Sequence, residues 1–111
     1  EPTINELKES NRPIFCTEYM ARHFGTTFEA SLPIFKKNHI ACYNWGFVAG
    51  KSQTHFGWET IIEIEKKKKE NLYLKINDPI PEPDLWFHDI FRIDGTPFDQ
   101  KEIEFIKSFL K

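Results

Sequence analysis

Arg12-Pro13-Ile14-Phe15-Cys16-Thr17-Glu18-Tyr19-Met20-Ala21 is the stretch on which the reading of the whole chain turns. Pro13 falls at a strand's first position, where a missing N–H does least harm. Ile14, Phe15 and Cys16 are apolar on both faces, as in a strand covered from each side. Polarity then arrives at once, with Thr17, Glu18 and Tyr19. In parallel α/β sheets function gathers at the C-terminal ends of strands. Glu18 therefore reads as a carboxylate positioned to act on something; the alternative is an ion pair with Arg22 or Lys51.

Working outward, Ile40-Ala41-Cys42-Tyr43-Asn44-Trp45-Gly46 repeats the design, apolar first and then polar and aromatic. Between the two lies a helical pattern over 26–38. Thr26 and Glu29 have the spacing of a capping box, and Phe28, Leu32 and Phe35 recur at helical spacing. Pro33 is expected to kink this helix or shorten its first half. Lys36 and Lys37 near its end suit the helix dipole. Two strands joined by one helix form a right-handed parallel βαβ unit. That puts Glu18 and Trp45 at the same edge of the sheet, on neighbouring strands.

Before the first strand, Thr3 and Glu6 read as the capping box of a short helix whose apolar face is Ile4 and Leu7. After the second comes a long excursion over 47–83. Ile61, Ile62 and Ile64 on one side of Lys66–Lys69, with Leu72, Leu74 and Ile76 on the other, predict a β-hairpin with a basic tip. Such a lysine run is ordinarily a solvated turn. A stiff, Pro-rich linker comes next, at 77–84. The block 85–91 is compatible with a short helix or an extended segment. Asp94-Gly95 reads as a turn. Asp99 caps a final helix over 99–110, with Glu102 three residues on, a buried stripe of Ile103, Ile106 and Leu110, and Phe105 and Phe109 widening it.

The 111 residues suffice for one domain and one core. Eleven Phe and three Trp make either the core or a ligand surface rich in rings. A net charge of −2 favours neither nucleic acid nor an anionic membrane, and no stretch approaches the ~20 apolar residues of a membrane span. The chain starts at Glu1 without Met, as a processed or excised piece would. Cys16 and Cys42, isolated within the two strands, read as buried free thiols. No Cys/His spacing fits zinc, and neither a nucleophile elbow nor a glycine-rich phosphate loop occurs. No metal or cofactor is expected.

A carboxylate beside an indole at one strand edge suits carbohydrate chemistry. A sugar ring has an apolar face of C–H groups that lies flat on an indole, and a carboxylate beneath can attack or stabilise the anomeric carbon. Asn44, Tyr19 and Gln53 are candidates for hydrogen bonds to hydroxyls, and Trp58 for a further ring contact. A Trp buried in a core strand is the alternative for Trp45. Glu59, Glu63 and Asp89 are the other carboxylates considered for acid/base work. Asp89, next to His88, is the best of them; the competing reading has it capping a turn or pairing with Arg92. Among the scattered histidines, only His55, near Gln53, is a candidate for the sugar site, against a plain surface role.

The blocks RPIFCTEYMA (12–21), YNWGFVAGKSQT (43–54) and WFHDIFRIDGTP (86–97) resemble the C-terminal part of bacterial cellulase-like glycoside hydrolases, retaining clan A (β/α)8-barrel enzymes labelled cellulases, xylanases or mannanases. The resemblance runs from about residue 12 to 110. It implies an α/β fold: the C-terminal fragment of a TIM barrel, its last two strand–helix units, with a long inserted loop or hairpin. Strand seven would be 12–18, strand eight 40–46, and the single domain 1–111. The family's nucleophile then falls on Glu18 and its sugar-platform Trp on Trp45. His23-Phe24 depart from the Pro-Arg pair common there. The family's acid/base Glu, preceded by Asn at the end of strand four, has no counterpart in a chain less than half the ~250 residues of a barrel.

The resemblance thus implies a glycosidase fragment, inactive alone. It would act on an oligo- or polysaccharide once joined by the rest of the barrel, and it would be secreted or periplasmic. The competing expectations are a non-catalytic sugar-binding module using Trp45, Trp58 and Trp86, and an oligomer-forming unit that covers its open strand edges by self-association.

Overall fold

The computed structural model describes residues 2–69 and 80–111. Four α-helices dominate: α1 (Pro2–Lys8), α2 (Phe28–Lys37), α3 (Trp58–Lys69) and α4 (Gln100–Phe109). Two strands of two residues each, β1 (Phe15–Cys16) and β2 (Ala41–Cys42), and a 3-10 turn over Arg22–Phe24 complete the regular structure.

The strands pair in parallel, Phe15 opposite Ala41 and Cys16 opposite Cys42, with α2 between them in the chain. Ala41 N donates to Ile14 O at 3.3 Å and Tyr43 N to Cys16 O at 2.9 Å. The expected α/β class, two strand–helix units of a TIM barrel, does not form. The described chain is mainly helical, around a sheet of only two strands. The expected strands 12–18 and 40–46 each shrink to two residues. The physical reason is the lack of neighbours: a barrel strand is held along both edges, whereas among the described residues β1 and β2 pair only with each other.

The expected hairpin also fails in its described half. Ile61, Ile62 and Ile64 lie on α3, and the lysine run is its last turns. Leu72, Leu74 and Ile76 lie outside the described residues. Helix wins because Glu and Lys are strong helix formers and Glu65 precedes Lys69 by four positions, the favourable orientation for a helical pair. Ile64 is buried while Ile62 is exposed; in a strand these two would share a face, whereas on a helix they point in different directions.

Helix α2 begins one residue later than read. Thr27, not Thr26, is its N-cap and accepts from Ala30 N at 3.3 Å, while Thr26 Oγ1 donates to Ala21 O. The helix runs through Pro33 without being shortened. Asp99 caps α4 as expected, accepting from Lys101 N at 2.8 Å, but Glu102 does not reach back to it. Leu110 is exposed, outside the buried stripe. Helix α1 starts at Pro2, a residue tolerated in a first turn, so Thr3 is inside it rather than capping it; no residue of α1 is buried.

The core sits away from the strands. Met20, Phe28 and Ile90 form its centre, with Tyr19, Leu32, Ile103, Phe105 and Ile106 packed around them where α4 lies on α2. The segment 86–91 is an irregular, buried spine with bends at Phe87 and His88: Trp86 is 1% exposed and Asp89 0%. Its backbone is held on several sides, by Arg22 N to Phe87 O, Phe87 N to His55 O, His88 N to Thr54 O and Phe91 N to Phe47 O, each near 3 Å. Trp86 stacks on Phe98, ring centres 5.0 Å apart.

Candidate functional site

Parallel pairing sends both chains out at the same end of the strand pair. Glu18 lies two residues past β1 and Trp45 three past β2. Glu18 is exposed, and Trp45 is 48% exposed rather than buried in a core strand. The ion pair weighed for Glu18 does not form: Arg22 instead donates to Glu102, from Nε to Oε1 at 2.8 Å and Nη2 to Oε2 at 2.7 Å. Among the described residues the Glu18 carboxylate is in no ion pair.

The segments leaving the two strands are held from below by the spine. Asn44 Nδ2 donates to Gly46 O at 2.5 Å and reaches His88 O at 3.5 Å, so the turn behind Trp45 is pinned by the residue before it. Gly46 has φ 86°, and a Cβ there would come within 2.6 Å of Asp89 Oδ1. Only glycine fits this turn, both for its backbone and for the carboxylate behind it. On the other side His88 Nδ1 is hydrogen-bonded to Met20 O, two residues beyond Glu18.

The remaining expected contacts divide. Tyr19 turns inward, edge-on to Phe35 at 5.1 Å and Phe28 at 6.1 Å. Burial, with the neighbouring Cys42 and Cys16 thiols, raises its hydroxyl pKa far above normal. Cys16 and Cys42 are free and half-buried, not fully buried, and burial raises the Cys42 thiol. Gln53 is half-buried in a tight turn with φ 56°, its N–H donating to Gly50 O. Trp58 opens α3 and is 64% exposed. Trp86 is sealed in the core and offers no surface to a sugar.

Asp89 is no exposed acid/base. It is fully buried, it accepts from Thr54 Oγ1 at 2.7 Å, and its other oxygen has no hydrogen-bond partner. Arg92 pairs with Glu82 instead, at 2.5 and 3.0 Å, and that guanidinium holds the Glu82 carboxyl low. His55 is not a surface residue. Its Nδ1 lies 3.8 Å from Asp89 Oδ2, its ring is 4.2 Å from Phe56, and burial lowers its pKa against the pull of Asp89. Glu59 and Glu63 stand on α3 and line clefts that do not include Glu18.

Sequence reasoning missed the spine and the ring cluster beside it. The spine's signal was present: WFHDI has three apolar residues and a histidine around one carboxylate, with no period to name a helix or strand. In the ring cluster, Phe24 and Trp58 meet at 5.9 Å and both meet Phe87, at 5.6 and 5.7 Å. No helix of the described residues is long and apolar enough to cross a membrane, and no group of three or more His, Cys, Asp or Glu among them is arranged to hold a metal ion. Comparison with models of protein families, with curated proteins and with solved structures finds no match to the chain.

Proposed function

We propose that the chain handles β-linked oligo- or polysaccharides and carries the nucleophile half of a retaining glycoside hydrolase site. Glu18 is the nucleophile and Trp45 the platform for the sugar ring. The observation that supports this most is the parallel register of Phe15 with Ala41 and Cys16 with Cys42, which brings an exposed carboxylate and a half-exposed indole to one end of the strand pair. A nucleophile must be reachable, and Glu18 is exposed, with Arg22, one of its two candidate partners, committed to Glu102. Retaining chemistry needs a second carboxyl about 5–5.5 Å from the first. Asp89 is buried and Glu59 and Glu63 line other clefts, so none of these three supplies it, and the reading is confined to the nucleophile half.

The test uses a leaving group that needs no acid. A dinitrophenyl 2-deoxy-2-fluoro-β-glycoside releases its phenolate unaided as a Glu18 oxygen bonds to the anomeric carbon, and the fluorine slows hydrolysis of the resulting ester. Intact mass should rise by one fluorosugar, peptide mapping should put it on Glu18, and Glu18→Gln should stay unlabelled. A wild-type chain that gains no such mass at saturating reagent overturns the nucleophile assignment.

The second reading is a non-catalytic saccharide-binding surface. The exposure of Tyr43, Trp45 and Phe47 together favours it. Oligosaccharide binding that Trp45→Ala weakens and Glu18→Gln leaves intact, with no fluorosugar adduct, would select this reading.

A further inference from the structure

We infer that Phe24, Trp58 and Phe87 form a second sugar-binding subsite, so that the substrate is an oligosaccharide chain rather than a single sugar. The inference rests on the saccharide reading of Glu18 and Trp45. The cleft these rings line has a volume of about 280 Å3 and is completed by His23, Glu59 and Thr60. Phe87 is its buried floor, while Phe24 and Trp58 are 65% and 64% exposed on its walls. Clustered exposed rings leave flat apolar surface facing water, which ordinarily marks a binding site. Here the rim is polar: a carboxylate, a hydroxyl and an imidazole, the groups that pair with sugar hydroxyls. The volume falls just below the usual range of ligand pockets, enough for a sugar ring and too small for a peptide helix.

The cleft is joined to the first site by short covalent and hydrogen-bonded steps. Phe24 lies on the turn after β1, and Trp58 ends the segment after β2. Phe87 is next to His88, which is hydrogen-bonded to Met20 O on the Glu18 side and accepts from Asn44, the neighbour of Trp45. Both places are thus fixed to the same backbone segment through His88, and the dependence of binding on oligomer length reads whether one sugar chain occupies both. Two larger clefts, of about 390 and 550 Å3, are weaker candidates. In the first, the charged pair Glu82 and Arg92 satisfy each other; the second is bordered by the irregular segment 80–84 and carries no aromatic platform beyond the buried Phe56.

The experiment is isothermal titration of the chain with β-1,4-linked glucose and xylose oligomers, from disaccharide to hexasaccharide. The wild type should bind the hexasaccharide of one series more tightly than its disaccharide. Trp58→Ala and Phe24→Ala should each remove that gain, about tenfold for one lost ring contact, and leave the disaccharide unchanged. Trp58→Phe should restore most of it, and circular dichroism confirms that each variant is folded. If Trp45→Ala weakens every oligomer while Trp58→Ala and Phe24→Ala weaken none, the second subsite is overturned and the first reading stands. If the wild type binds no oligomer of either series, both fall together.

Discussion

Arg22 and Glu102, eighty positions apart in the sequence, meet as a buried bidentate ion pair that ties the turn after β1 to the first turn of α4. Arg22 also lies over the Phe98 ring at 4.8 Å and reaches Trp86 O at 3.4 Å. Removing one member leaves the other charge in the core without a partner. Glu102→Ala should therefore destabilise the fold by about 3–5 kcal/mol, whereas the double replacement Arg22→Met with Glu102→Leu should recover most of the loss. Urea denaturation of the three chains checks this, and a loss under about 1 kcal/mol for the single variant would mean the pair is not sealed from water.

The Gly46 turn gives a paired comparison. Gly46 and Gly95 share almost the same backbone, φ 86° and 85°, but a Cβ would meet Asp89 Oδ1 at 2.6 Å in the first and nothing within 4 Å in the second. Alanine at either position carries the left-handed backbone penalty of about 1–2 kcal/mol. Only Gly46→Ala should add a steric cost on top, and it should shift Trp45, the residue before it. Stability measurements together with Trp fluorescence separate the two effects: equal losses for both variants would show that the Asp89 carboxylate yields freely.

His55 should make stability depend on pH. Burial lowers its folded-state pKa, with Asp89 and Glu82 opposing, so the unfolded chain takes up a proton first, near pH ~6.5. The contribution of the neutral buried ring is complete above that pH and is lost as pH falls toward the folded value, because stability rises with pH wherever the unfolded state binds more protons. His55→Phe keeps the ring contacts to Phe56 and Trp86, at 4.2 and 5.3 Å. Its stability should fall less than the wild type's between about pH 7 and pH 5. Parallel curves for the two proteins would show that His55 does not titrate there.

Much of the local chemistry was legible in the chain. The parallel pairing of the two strands, the Asp99 cap and the core roles of Phe28, Ile103 and Ile106 follow from spacing and propensity alone. Several of the failures share a cause: they depended on partners distant in sequence. Strand length depends on neighbouring strands, and among the described residues β1 and β2 pair only with each other. Ile61, Ile62 and Ile64 read as a strand because three residues cannot separate a period of two from one of 3.6. Glu102 looked like a capping residue, since nothing local announces that Arg22 will arrive. Asp89 stood open between acid/base work and a structural role, because a carboxylate beside a histidine is ambiguous until its burial is known. The placing of Glu18 and Trp45 at one end of a parallel strand pair was read from the order of elements, but the segment 86–91 behind them was not, because its hydrogen bonds join residues tens of positions apart.

The offset of the core from the strands can be tested directly. The sequence reads Phe15 as an inner residue of a strand covered on both sides, yet it is 60% exposed, while Met20, just past the strand, is at the centre of the core against Phe28 and Ile90. Pairing through two residues leaves the Phe15 ring without a layer above it, and the packing has moved to where α2 meets α4. Phe15→Ser should therefore change stability by less than about 1 kcal/mol, as for a surface substitution. Met20→Ala should remove about 2–5 kcal/mol, the range for truncating a buried Met. Denaturation midpoints decide between the two pictures. A loss for Phe15→Ser as large as that for Met20→Ala would mean that something covers the ring in solution, and light scattering of the wild-type chain would then show whether a second copy does so.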